Sequence, residues 1–331
     1  MSSKSANFLL PVTLVFVLLL TACAKNNPPP STLAPFLTYE IAQPPPILSQ
    51  SLPLFQVERP DKPHNRIGSP RVLATNKAEE DVLVDPQKPV IYYQEESFRT
   101  SRDQFTNIIY RIHFSETPMT LWPFQIGAGK NVGLLFIITL NAKKQPLLIT
   151  TLHTCGCYLA FVPTSYLAPS AWPKGWRQDT PQKVYGERLP SFLDYTDHRS
   201  PPAILFQIAS DSHRVSDIRL VTPAEIAASP WRTAPLQPLT ALDDLPTRQG
   251  GSLSFFETSG PRQDYVKNSQ KIWERLLISW WALDWRVGED KRLDFRKPAS
   301  PVFYTSLKPW ARHESNLLNF QGFLSYWGWN L

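Results

Sequence analysis

Residues 150–161 read Thr-Thr-Leu-His-Thr-Cys-Gly-Cys-Tyr-Leu-Ala-Phe, and Cys155 and Cys157 are the only cysteines beyond Cys23. On an extended strand, residues two apart share a face, so Thr151, His153, Cys155 and Cys157 line one side. An imidazole and two thiols then project together, with successive Cα atoms about 6.6 Å apart. Gly156 lies between the cysteines and can take a backbone conformation closed to other residues, which lets the two sulfurs approach one another. Thiolate and imidazole donors select copper(I) or zinc over hard cations. Zinc asks for a fourth ligand, whereas copper(I) accepts three. His113 and Met119 are the further candidate ligands, and the Met119 thioether tilts the choice toward copper(I).

The same residues support other chemistry. In an oxidising compartment, paired cysteines form a disulfide, and a Cys-Gly-Cys bridge must bend the chain to form. A labile bridge of this kind exchanges with thiols, and protonated His153 would lower the pKa of the Cys155 thiol. A third reading makes one cysteine a nucleophile with His153 as its base, although no orienting acid or oxyanion donor is identifiable. In a fourth, the cysteines are small hydrophobes packed inside the protein.

Standard signatures are absent. Gly127-Ala-Gly-Lys-Asn131 precedes a strand rather than following one. Phe124 stands where a phosphate loop needs its first glycine, and Asn131 where it needs Ser or Thr, so the segment reads as a turn and excludes a nucleotide. No G-x-S-x-G, H-E-x-x-H or C-x-x-C-H occurs, and His313-Glu314 lacks a second histidine. A formal net charge of +6 without a Lys/Arg cluster interleaved with aromatics gives no nucleic-acid footprint.

The elements that must position the cysteines form an α+β pattern: a mainly antiparallel sheet, a central hairpin at about 132–158, and C-terminal helices. Ile108, Tyr110, Ile112 and Phe114 alternate with Asn107, Arg111 and His113, which predicts a half-buried strand. Val132–Leu140 is apolar on both faces and reads as a central strand. Asn141–Pro146 is a turn signal, followed by a second strand from Leu147. Residues 203–209 and 215–221 predict two more. Ile272, Trp273, Leu276, Leu277, Trp280 and Trp281 recur at helical spacing, opposite Lys271, Glu274, Arg275 and Ser279. The apolar face is expected in the core, with a membrane-interface helix as the alternative. A second helix is expected around Leu317–Trp327. The charged run Val287-Gly-Glu-Asp-Lys291 reads as a solvated loop rather than a catalytic pair.

The N-terminus speaks to location. Lys4 precedes Phe8–Leu20, an apolar run of 13 residues. That suits a signal-peptide core and is short of the roughly 20 residues of a spanning helix. The run ends in Leu20-Thr21-Ala22-Cys23, which resembles the lipobox of bacterial lipoprotein precursors. The resemblance implies loss of residues 1–22 and acylation (palmitate and related chains) at Cys23. With Ala24 where an inner-membrane retention signal carries Asp, it also implies an outer-membrane address, most simply on the periplasmic face. Of the 33 prolines, 13 fall between residues 24 and 89, so residues 23–89 are expected to form an extended tether. The alternative is a segment packed on the domain through Leu52, Leu54, Phe55 and Val57. Residues 90–331 then form a single globular body.

Together these readings describe a lipid-anchored envelope protein with a Cys/His soft-metal site at His153, Cys155 and Cys157, serving metal handling or delivery and more a binding protein than an enzyme. The alternatives are an envelope scaffold with a protein partner and structural thiols, or a thiol–disulfide redox protein.

Overall fold

The computed structural model describes residues 36–48, 52–74, 80–196, 201–222, 225, 230–297 and 300–331. The expected leader and Cys23 lie outside the described residues. In chain order the strands are β1 (Phe36–Ile41), β2 (Pro53–Glu58), β3 (Ser69–Ala74), β4 (Glu80–Asp85), β5 (Ile91–Arg99), β6 (Gln104–Thr117), β7 (Gly129–Leu140), β8 (Pro146–His153), β9 (Ala160–Pro163), β10 (Gln182–Val184) and β11 (Glu187–Leu189). They continue with β12 (Ala203–Ile208), β13 (Val215–Val221), β14 (Trp231–Ala234), β15 (Leu236–Pro238), β16 (Leu245–Pro246) and β17 (Ser252–Leu253). Helices α1 (Ile272–Ala282) and α2 (Phe320–Tyr326) come last. The fold is α+β and mainly antiparallel.

The central sheet runs β15-β5-β6-β7-β8-β9, and a second sheet runs β13-β12-β2-β1-β14. Isoleucine and aromatic residues dominate β6, and leucine, isoleucine and threonine dominate β7 and β8; the β-branched and aromatic side chains fit a pleated surface. The central hairpin forms as expected, with β7 and β8 antiparallel around the Asn141 turn. There the Asn141 side chain accepts from the amides of Lys143 and Gln145.

Alternation along β6 divides two cores. Ile108, Tyr110, Ile112 and Phe114 face the second sheet, where Phe55 and Phe206 meet Phe136 at ring distances of 4.9 and 4.6 Å. Ile109, Leu135, Ile137, Leu148 and Leu152 face the opposite way, into a layer built from β3, β4 and the C-terminal segment with α2. Each fully buried Phe or Leu stabilises by about 1.5–3 kcal/mol. Covering both faces corrects the expected half-buried strand: Asn107, Arg111 and His113 are buried as well.

The tether is corrected too. From Phe36 onward the proline-rich stretch is sheet: β1 pairs with β2 and β14, and β2 pairs with β12. Tyr39, Ile41, Leu54, Phe55 and Val57 are buried. The prolines do not prevent this because they occupy places where no ladder donor is needed. Pro53 begins β2, Pro60 and Pro63 lie in the following turn, and Pro70 lies in the two-stranded β3–β4 ribbon.

Helix α1 reverses its expected orientation. Glu274, Ser279 and Ala282 are buried, whereas Ile272, Leu276, Leu277, Trp280 and Trp281 are exposed, Trp280 at 71%. Helix α2 buries Phe320, Phe323 and Leu324 in the ordinary way. Among the described residues, no helix is long and apolar enough to cross a membrane.

Candidate functional site

Strand β8 ends at His153, and residues 154–157 turn the chain back toward β9. The cysteines therefore sit in the turn rather than on the strand. The His153 amide donates to the Cys157 carbonyl at 2.9 Å, and the Gly156 amide donates to the His153 carbonyl at 2.8 Å. Gly156 has φ +92°, and a Cβ there would overlap the Tyr304 carbonyl oxygen, so glycine is required on both conformational and steric grounds. The buckle brings the Cys155 and Cys157 Cα atoms to 5.6 Å, and their sulfurs are joined in a disulfide. His153 stays close: its ring nitrogen and both sulfurs lie within 4.8 Å of one another.

The bonded sulfurs bear directly on the metal expectation, since neither is a thiolate donor in this oxidised form. The further candidate ligands are elsewhere. His113 pairs in register with Gly133, and His153 with Leu134. Adjacent register positions point to opposite faces of a sheet, so the two imidazoles are separated by the central sheet. The Nε2 of His113 accepts from Arg111 Nε at 3.0 Å. Met119 is exposed and lines a different cleft, with Glu116, Lys130 and Ile272.

His153 Nε2 lies 3.1 Å from the His213 carbonyl. A carbonyl can only accept, so the proton sits on Nε2 and the Nδ1 lone pair is left to act as base or ligand. Burial, helped by the positive charges of Lys271 and Arg214, holds the His153 pKa well below the ordinary imidazole value. The ring is therefore neutral at neutral pH.

Beneath the turn is a buried ionic cluster. Lys271 Nζ lies 3.2 Å from Asp290 Oδ2, with side chains 2% and 0% exposed. Asp290 Oδ1 accepts from the Thr154 hydroxyl. Lys291 Nζ donates to the Cys155 carbonyl at 2.5 Å and to the Glu289 carbonyl at 3.2 Å. Arg111 reaches the Lys291 carbonyl at 2.8 Å from the other side. Burial lowers the Lys291 pKa to about 8 and the Arg111 pKa to about 10. Burial pulls Lys271 down as well, but the carboxylates of Asp290 and Glu274 outweigh it and leave its pKa raised. Glu274 is raised by burial. Its carboxylate occupies the space where Gly288, at φ +78°, would carry a Cβ.

The solvated-loop expectation for residues 287–291 is thus overturned: Glu289, Asp290 and Lys291 are all buried. They are tolerated inside because each has a partner of opposite charge or a hydrogen-bonding carbonyl. Lys271, Glu274 and Asp290 were missed as site residues because no motif joins residues 155, 271 and 290. Arg111 carried the one available signal, as a lone cation on a strand with apolar neighbours.

A cavity of about 270 Å³ opens beside the disulfide, lined by Cys155, Cys157, Tyr158, Arg214, Glu274 and Tyr304 among others. The Tyr158 ring packs against His153, with centroids 4.5 Å apart and planes tilted by 53°, and the Arg214 guanidinium lies over it at 4.8 Å. Cys155 is buried, and Cys157 is partly exposed toward the cavity. No protein-family model matches this chain, and no curated protein or solved structure matches it significantly.

Proposed function

We propose that the chain is a lipid-anchored cell-envelope protein whose Cys155-Gly156-Cys157 turn is a thiol–disulfide centre. The observation that carries the activity is the disulfide itself, placed with one sulfur-bearing residue buried and the other open to a cavity. As a staple it does little. Closing so short a loop removes chain entropy of only about 1.6 kcal/mol at 25 °C. A protein with a large two-sided core does not need that increment.

The geometry suits exchange. A thiolate entering the cavity forms a bond to Cys157 Sγ. The Cys155–Cys157 bond breaks, and its electron pair leaves on Cys155 Sγ. The Cys157 amide already faces that sulfur at 3.4 Å. Arg214, which lines the cavity beside both cysteines, supplies a positive charge that favours a thiolate over a thiol. A second thiolate then attacks the incoming sulfur, forming a new disulfide, and the electron pair of the broken bond leaves on Cys157 Sγ, so the turn is reduced by two electrons and the thiol pair oxidised. The incoming group is a small thiol or a dithiol of an envelope protein partner.

Three donors within 4.8 Å favour a second role for the reduced form. With two thiolates and the Nδ1 of His153, the turn would hold copper(I), or zinc with a further ligand. The address rests on the lipobox-like Leu20–Cys23, which assigns the membrane contact to acyl chains on Cys23 and favours the periplasmic face of the outer membrane.

Alkylation and intact mass of protein purified without reductant test the centre. We expect two blocked thiols that become free in mild dithiol under native conditions, followed by stoichiometric copper(I) uptake that Cys157→Ser abolishes. Free thiols in the air-purified protein, or a bridge reduced only after unfolding, rejects the exchange reading. Mass analysis of the mature N-terminus tests the anchor separately: residues 1–22 removed and acyl mass on Cys23, both lost in Cys23→Ser.

A further inference from the structure

The inverted helix α1 leaves an apolar surface with no counterpart inside the protein. Ile272, Leu276, Leu277, Trp280 and Trp281 are half or more exposed, and Trp285 continues the face at 59%. The β6–β7 connection adds Leu121 and Trp122, the latter 82% exposed, and is tied to α1 by the Phe124–Trp273 ring contact at 5.5 Å. On the other flank, Arg312 donates to the carbonyls of Ala282 and Leu283, which end the helix. That contact holds the loop bearing Trp310, 78% exposed, beside it. Three separate chain segments thus present large apolar side chains around one short helix. An isolated exposed leucine needs no explanation, but a joined patch of this kind marks a contact surface.

Its chemistry selects the occupant. The large residues are tryptophan and leucine rather than phenylalanine and valine, and tryptophan favours the boundary between hydrocarbon and headgroup. Cations border the patch. Arg275 lies over the Trp285 ring at 4.0 Å, and Lys308 is exposed beside Trp310. Over residues 275–286 and 308–314, the four cations Arg275, Arg286, Lys308 and Arg312 outnumber the two anions Asp284 and Glu314. An apolar face rich in tryptophan, bordered by arginine and lysine, complements an anionic bilayer surface.

We infer that α1, with the Trp122 and Trp310 loops, lies in the interface of an anionic lipid bilayer. The opposite face of the same helix carries Glu274 to the disulfide cavity, so contact with lipid places that cavity next to the membrane. The inference goes beyond the acyl anchor, which it uses only to bring a bilayer within reach.

The test uses residues 24–331, which keep every described residue and lack the leader and Cys23. The probes are vesicles of phosphatidylcholine with and without phosphatidylglycerol, read by flotation, by blue shift of tryptophan emission, and by quenching from lipids brominated near the headgroup. We expect binding that is at least tenfold stronger to the anionic vesicles and weakened by salt. Trp280→Ser/Trp281→Ser should reduce it at least tenfold with an unchanged unfolding midpoint. Absence of flotation, or flotation untouched by that double substitution, overturns the proposal. So does a self-association, seen by sedimentation equilibrium without vesicle binding, that the same substitutions abolish, because the face would then belong to a second copy. Equal binding to neutral vesicles overturns the role given to the cations. Failure here leaves the acyl anchor standing, since that is read from the mass of the N-terminus.

Discussion

Helix α1 turns Glu274 and Ser279 inward and holds Trp280 and Trp281 outward, while helix α2 buries Phe320, Phe323 and Leu324. Both have aromatic and aliphatic residues at helical spacing. The difference lies in the wall each one meets. Helix α2 docks on Phe98 and Phe161, which are apolar and accept aromatic rings at 5.1 and 5.6 Å. Helix α1 starts beside Asp290 and Lys291, so its N-terminal Lys271 finds a carboxylate inside, and Glu274 follows into the same cluster. A charge is held inside only where a partner awaits it. Amphipathicity therefore defines two faces of a helix, and the surface already built by the rest of the chain decides which one is covered.

That contrast can be broken in several ways. The largest effects belong to the two anchoring contacts. Phe323→Ala should cost about 3–5 kcal/mol by leaving a cavity in a fully packed core. Lys271→Met should cost a similar 3–5 kcal/mol because Asp290 is left as an unpaired buried charge. Urea unfolding measures both, and the double substitution Lys271→Met/Asp290→Leu should recover most of the second loss. A Lys271→Met protein as stable as the parent would show that the cluster is solvated.

A smaller effect separates the polar interior from the apolar one through pH. His113, His153 and His213 are all held below the ordinary imidazole pKa, chiefly by burial, with His213 at about 3. Below pH 6.5 the unfolded chain takes up protons at these sites and the folded one does not, so acidification favours unfolding. Each histidine contributes about 1 kcal/mol of lost stability between pH 6.5 and 5.5. Glu274 is raised by burial and runs the opposite way, which reduces this fall. The expected fall over that window is at most about 3 kcal/mol, read as the shift in urea midpoint. A rise in stability over the same window would contradict neutral, buried imidazoles.

Smaller again, Cys155→Ser/Cys157→Ser should cost about 1–2 kcal/mol. A loss of 4 kcal/mol or more, beyond about what the chain-entropy account allows for so short a loop, would make the bridge a structural staple. The smallest change sharpens the comparison most. Trp281→Ala, on a 55% exposed side chain, should stay within about 0.5 kcal/mol of the parent, against the several expected for Phe323→Ala. Equal losses at the two positions would mean that α1 is packed after all.

Much of the fold was legible because it rests on local pattern. The β7–β8 hairpin, the β12 and β13 strands and both helices follow from runs of apolar residues, a turn around Asn141 and helical spacing. The tether expectation fails from Phe36 onward because proline content masks two strands, β1 and β2, whose pairing partners lie far along the chain at β14 and β12. In the site, the Cys155-Gly-Cys157 turn and the neighbouring His153 were readable from spacing and from one permissive glycine. His113 was not separable from them, since one step of register between β6, β7 and β8 moves a side chain to the other face, and register is a property of the assembled sheet. The buried charges at 271, 274, 290 and 291 were invisible for a related reason: a charged residue reads as exposed until its partner is known.

The amino-acid order alone determined the β7–β8 hairpin, the strands β6, β12 and β13 and the two helices, and that an imidazole and two sulfurs stand within a few residues of one another. Those are consequences of short-range sterics and periodicity, which act within a few residues of chain. Tertiary structure decided which helix face is covered, which ions are paired inside, and that the buckled turn opens onto a cavity. These depend on surfaces contributed by separate segments, some near in the chain, as Lys271 and Asp290 are, and some far, as Thr154 and Asp290 are, whose electrostatic and packing complementarity exists only after they meet.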